Sequence, residues 1–139
     1  MLFGKSERKI RQILIVEDEP LIAFDNEHSL REAGYEVAAT VDTVEAAIAV
    51  IVEGVDLVLA DVRLSGGGNG RDVARAAQER RIPLIFTTAT CPVDARALAM
   101  GCLAKPYTPR DLLAAIGVVD AVLSGRPPKR LPKSFALFV

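Results

Sequence analysis

Short, unbroken apolar runs alternate along this chain with stretches whose apolar residues recur at helical spacing. Ile13-Leu14-Ile15-Val16 is the first run, β-branched and continuous as in a strand covered on both faces. It stops at Glu17-Asp18-Glu19. Pro20 suits the first turn of a helix, and Ile22, Leu30 and Ala33 carry that helix to Gly34. Tyr35 to Val41 reads as a second strand, and Asp42 with Glu45 forms a capping box that predicts a helix from Thr43 to Glu53, closed by Gly54. Asp56 to Ala60 is a third strand ending at Asp61. A glycine-rich loop, Ser65 to Gly70, leads into a helix from Arg71 to about Arg80, and Pro83 to about Thr87 is a fourth strand. Pro92 to Met100 leaves room for a short helix stopped by Gly101, and Cys102-Leu103-Ala104 reads as a fifth strand ending at Lys105. Thr108-Pro109-Arg110-Asp111 combines a cap, a first-turn proline and an acid three residues after the cap, and opens a last helix to about Leu123.

Strands alternating with helices across short loops predict one parallel sheet with helices on both faces. In such sheets the site lies beyond the carboxyl ends of the strands. The expected organisation is a basic segment over residues 1–9, a folded domain over 10–124, and a basic, proline-rich tail over 125–139.

The chain has 139 residues, half of them apolar and a quarter charged. A single domain of this size buries roughly 70% of its unfolded surface, enough for a core without staples. Its formal charge of −1 hides an uneven distribution, because residues 13–125 carry nine bases against seventeen acids, a net charge of −8. An acidic body argues against nucleic acid as a partner. No apolar run approaches the ~20 residues of a membrane span, and the first twelve residues lack the pattern of a signal peptide. Two cysteines and one histidine supply neither a disulfide framework nor a zinc ligand set. Cys91 and Cys102 read as small buried hydrophobes, and the expectation is a cytoplasmic domain.

Polar groups collect at the predicted strand ends. Glu17 and Asp18 follow the first strand, Asp61 the third, Thr87-Thr88 end the fourth, and Lys105 follows the fifth. Crowded carboxylates repel one another unless a cation neutralises them. A ligand set of oxygens alone selects a hard ion, here Mg²⁺, which binds carboxylates together with phosphate oxygens. These residue types fit a site that gathers Mg²⁺ and a phosphoryl group, with Asp61 as nucleophile and Lys105 and a threonine hydroxyl on the remaining oxygens.

Ile13 to Pro20, Asp56 to Leu64, Pro83 to Ala89 and Lys105-Pro106 resemble the signature motifs of the response-regulator receiver domain of two-component signalling. The resemblance covers residues 10–124. It implies an α/β, flavodoxin-like, doubly wound sheet of five parallel strands in the order 2-1-3-4-5. It also implies that Glu17 and Asp18 are the acidic metal pair and Asp61 the phosphorylated aspartate. Arg63 then supplies a backbone carbonyl to the metal, Thr88 is the switch threonine, and Lys105 precedes a cis-proline bond. The implied partners are a sensor histidine kinase and a downstream protein or phosphotransfer protein, without nucleic acid or membrane.

Only seventeen positions separate Thr88 from Lys105, so the fourth helix must be short or irregular. Cys102 stands where the family usually carries an aromatic. With few apolar contacts, the 88–104 segment is expected to be loose until phosphorylation orders it. Phe86-Thr87-Thr88-Ala89 is similar to the Phe-Ala-Thr-Gly stretch of a receiver subgroup nicknamed FAT GUY, which pairs with HWE-type histidine kinases, although Thr87 and Ala89 depart from it. The glycine-rich loop fails the spacing of nucleotide-binding motifs, and His28 falls on a polar helix flank. Two other readings stand beside a phosphoacceptor: a metal-dependent aspartyl phosphohydrolase, which would want an acid where Arg63 lies, and a pseudo-receiver working without phosphorylation, which would show a damaged site.

Overall fold

The computed structural model describes residues 8–138. Its strands are β1 (Gln12–Val16), β2 (Glu36–Val41), β3 (Leu57–Ala60), β4 (Leu84–Thr88), β5 (Gly101–Ala104) and β6 (Phe135–Leu137). They form one sheet in the order β2-β1-β3-β4-β5-β6. The first five are parallel, and β6 runs antiparallel to β5. The helices are α1 (Pro20–Glu32), α2 (Val44–Glu53), α3 (Gly70–Glu79), α4 (Ala95–Leu98) and α5 (Pro109–Leu123).

The continuous apolar runs are explained by two covered faces. Ile13, Ile15, Leu59, Ile85 and Leu103 share a core with Leu30 of α1 and Leu112 and Ile116 of α5. Their neighbours in the strands, Leu14, Val16, Val58 and Phe86, point the other way and pack with Ile51 of α2 and Val73 and Ala77 of α3. Each such side chain is fully or almost fully buried, a contribution of roughly 1.5–3 kcal/mol apiece.

Caps set the helix starts. The Thr108 hydroxyl accepts from the Asp111 backbone N–H at 3.1 Å, with Pro109 behind it, as the sequence predicts. At α2 the cap is Thr43 and not Asp42. Thr43 has the extended backbone that a cap requires, and its hydroxyl accepts from Ala46 N–H at 3.2 Å, so the helix begins one residue later than expected. Asn69 caps α3 through a 2.8 Å bond from Arg71 N–H.

Two expectations are corrected beyond β4. The tail expected over residues 125–139 returns to the sheet within its described part, 125–138. Its strand β6 bonds along β5, with Ala104 N–H donating to Ser134 O and Phe138 N–H to Met100 O, both at 2.8 Å. Phe135 is buried against Gly101, where a Cβ would lie 2.5 Å from the ring. Only glycine lets that ring close over β5. Arg96 of α4 stacks over Phe138 at 5.2 Å.

The second correction concerns the cysteines. Cys91 and Cys102 are joined by a disulfide, with Cα atoms 6.2 Å apart. Cys102 stands beside Phe86 in the ladder, and the chain leaving β4 brings Cys91 within bridging reach. The fourth helix is short, as expected, but it is stapled.

Of the basic segment over residues 1–9, residues 1–7 lie outside those described. Arg8 covers the Tyr35 ring at 4.3 Å, and Lys9 N–H donates to Asp120 at 2.9 Å, so both belong to the packed body.

Candidate functional site

The sheet hydrogen bonds continue one residue past each strand end and so fix the polar groups there. Glu17 N–H donates to Val41 O at 2.9 Å, Asp61 N–H to Val16 O at 3.0 Å, and Lys105 N–H to Thr88 O at 2.9 Å. Asp61 and Lys105 line a cleft of about 680 Å³ together with Asp18, Arg63 and Thr88, and Glu17 reaches Lys105 at its edge. Behind it, Gly70 lies so close to the β3 backbone that a Cβ would fall 2.1 Å from Asp61 O.

The Lys105 ammonium sits among carboxylates. Nζ is 2.8 Å from Asp61 Oδ2, 3.0 Å from Glu17 Oε1 and 3.6 Å from Glu19 Oε1. Burial alone would lower the basicity of this lysine. Its hydrogen bonds to Asp61 and Glu17 outweigh that and hold it well above the ordinary lysine range. Burial likewise pushes the Glu17 carboxyl up, and the contact with Lys105 offsets this only in part.

The donor set fits a hard divalent ion. One oxygen from each of Glu17, Glu19 and Asp61 falls within 4.8 Å of the others. Glu17 Oε1 is buried without a hydrogen-bond donor, because the aligned bond from Lys105 goes to Oε2. Asp18, the expected second member of the acid pair, lines the same cleft, but its carboxylate faces Ser65 Oγ at 3.5 Å. Glu17, Glu19 and Asp61 also surround Lys105 Nζ, and Asp18 and Glu19 both line the cleft. Arg63 N–H donates to Asp61 Oδ1 at 3.3 Å. Arg63 also faces Asn69 in an isolated bridge whose cross-bonds run through Val62 and Leu64. The backbone groups of Arg63 therefore stay outside that ladder, on the side of Asp61. Thr88 is buried at the cleft wall, and the Lys105-Pro106 bond is cis.

Sequence reasoning did not single out Glu19, whose carboxylate lies 3.6 Å from Lys105 Nζ. It also missed Asn26, buried in α1, which bonds the Tyr107 hydroxyl at 2.9 Å and ties α1 to the loop after Lys105. His28 is exposed, as its helical position predicts.

This arrangement, acids at the ends of β1 and β3 facing a lysine from β5, defines a class. The family model described as the response regulator receiver domain matches residues 13–117. The chain belongs to that family. It is 39% identical over 113 residues to the transcriptional regulatory protein PdtaR of Mycobacterium tuberculosis, covering 76% of this chain and 55% of that one. It is 33% identical over 111 residues to the phyllosphere-induced regulator PhyR of Methylorubrum extorquens, covering 76% and 42%. The chain thus spans about half the length of the curated relatives it matches. Among solved structures, a CheY-like receiver domain from Methanospirillum hungatei superposes with a TM-score of 0.68 at 28% identity, covering 75% of this chain and 88% of that one. A doubly substituted form of the anti-anti-sigma factor PhyR of Bartonella quintana gives 0.63 at 31% identity, covering 86% and 49%. Among the described residues no helix is long and apolar enough to cross a membrane.

Proposed function

We propose that this receiver is a phosphoacceptor switch whose covalent site is Asp61. The observation that carries this reading is the Lys105 ammonium 2.8 Å from Asp61 Oδ2, inside a cleft that Thr88 also lines. An Asp61 oxygen attacks phosphorus, an O–P bond forms, and the N–P bond to the donor histidine breaks with its electron pair leaving on the imidazole. Lys105 holds one phosphoryl oxygen, and the Thr88 hydroxyl donates to another. Glu17, Asp18 or Glu19, Asp61 and the Arg63 carbonyl would hold Mg²⁺, which would supply charge neutralisation between the nucleophile and the phosphoryl oxygens.

The donor is a sensor histidine kinase or a phosphotransfer protein; its HWE subclass rests on the Phe86 to Ala89 likeness alone. Output passes by protein contact, as the anti-anti-sigma role of the Bartonella PhyR illustrates for a relative. The chain turns over no external substrate beyond its own phosphorylation and dephosphorylation. A phosphohydrolase is disfavoured by the arginine at position 63, and a pseudo-receiver by a site in which every matched residue is present. Acetyl phosphate with Mg²⁺ should add one phosphoryl mass to the wild type and none to Asp61→Asn. Equal labelling of both removes Asp61 from the mechanism.

A further inference from the structure

The disulfide joins the two segments that carry the switch threonine and the lysine. Cys91 lies three residues after Thr88, and Cys102 three before Lys105. The closed loop between them contains the whole of α4. Apart from this bond, α4 is held lightly. Ala95 is its one fully buried residue. Asp94, at its start, pairs with Arg71 at 3.1 Å, Gln78 Nε2 donates to Ala97 O at 2.9 Å, and Arg96 stacks on Phe138. Val93 is wholly exposed. Leu98 and Ala99 pack against the core beside Ala95, but a four-residue helix has almost no intrinsic stability, so the covalent closure adds a restraint to these few contacts.

The two cysteines differ in exposure. Cys102 is buried in the β5 ladder, whereas Cys91 is half-buried in the connecting segment. We propose that Cys91–Cys102 is a redox-active pair, opened by a dithiol reductant that enters at Cys91, and that its state sets whether the α4 segment is fixed or free. The reductant's thiolate attacks Cys91 Sγ, an intermolecular S–S bond forms, and Cys102 leaves as a thiolate that takes up a proton. The reductant's second thiol then displaces Cys91 as a thiolate, which is also protonated. Two electrons and two protons pass to the pair, and the reductant departs as its own disulfide. The oxidised form keeps α4 docked on α3 and Phe138. In the reduced form residues 89–101 exchange conformations beside Thr88 and present a different surface to a partner. That last consequence rests on the phosphoacceptor reading, whereas the redox step does not.

Amide exchange across residues 89–101 tests the proposal in wild-type protein, without Mg²⁺ or any phosphodonor, so its outcome is independent of Asp61 chemistry. Dithiothreitol should accelerate exchange there at least tenfold, leave β1 to β3 unchanged, and be reversed by oxidised glutathione. Cys91→Ser combined with Cys102→Ala should exchange fast with or without reductant. Trapping with glutathione should place the mixed disulfide on Cys91. Equal exchange in both redox states, acceleration spread over the whole chain, two thiols that stay free in oxidised glutathione, or an adduct on Cys102 would each overturn it.

Discussion

The two halves of the sheet edge hold their functional groups by different means. On the side of β1 and β3, Glu17 and Asp61 are pinned by ladder hydrogen bonds, by strands buried on both faces, and by a glycine pressed onto the backbone of Asp61. On the side of β4 and β5, the ladder also fixes Lys105, but the segment after Thr88 carries a four-residue helix and one disulfide, and β5 carries an added strand. The first half is built to keep its geometry under any condition that leaves the domain folded. The second is held by contacts that can be undone singly.

The separation can be tested from both sides. Gly70→Ala would force a Cβ to within 2.1 Å of Asp61 O, so the backbone must shift. The expected cost is about 3–4 kcal/mol of stability, with loss of Asp61 labelling even at temperatures where the variant is folded. Urea unfolding and acetyl phosphate labelling measure the two effects, and a folded variant that still labels normally would show the acid corner to be less rigid than its packing implies. Phe135→Ala removes the ring that covers Gly101 and should cost about 3 kcal/mol while leaving the labelling rate of the folded fraction intact. A matching loss of labelling would mean that the two halves are coupled.

The smallest effect is electrostatic. The Glu17 carboxyl is raised in the folded state by burial, so the fold binds this proton more tightly than the unfolded chain does. Its contribution to stability is complete below the unfolded value, near 4.5, and is lost as pH rises through the higher folded value. In Mg²⁺-free buffer, Glu17→Gln should therefore melt a few degrees above wild type at pH 7, with the gap narrowing towards pH 4.5. A variant that melts below wild type at neutral pH would show that pairing with Lys105 outweighs desolvation.

Much of this design was legible from residue order. Strand ends at Glu17, Asp61, Thr88 and Lys105 could be read because buried strands appear as continuous apolar runs and stop sharply at charge. The Cys91–Cys102 bond could not, because it depends on β4 and β5 lying side by side with Cys102 next to Phe86, an alignment that spacing does not encode. Strand β6 is three residues long and follows Pro127, Pro128 and Pro132, too short for any period to show. Gly101 was read as the stop of a helix, yet its reason is the Phe135 ring above it. At α2, two adjacent residues can both cap, and backbone geometry chose Thr43.

Strand β6 also bears on how the molecule behaves in a crowd. A sheet ending at β5 would offer a row of unpaired backbone groups on a strand of Gly-Cys-Leu-Ala, a flat apolar template onto which another chain could add. The added strand replaces that edge with one of three residues, preceded by Lys129, Arg130 and Lys133. Short, basic and proline-flanked edges are poor templates for cross-β growth. Residues that contribute nothing to the lining of the cleft therefore cover the apolar edge of the sheet at β5, and removing them would expose the backbone groups of that strand.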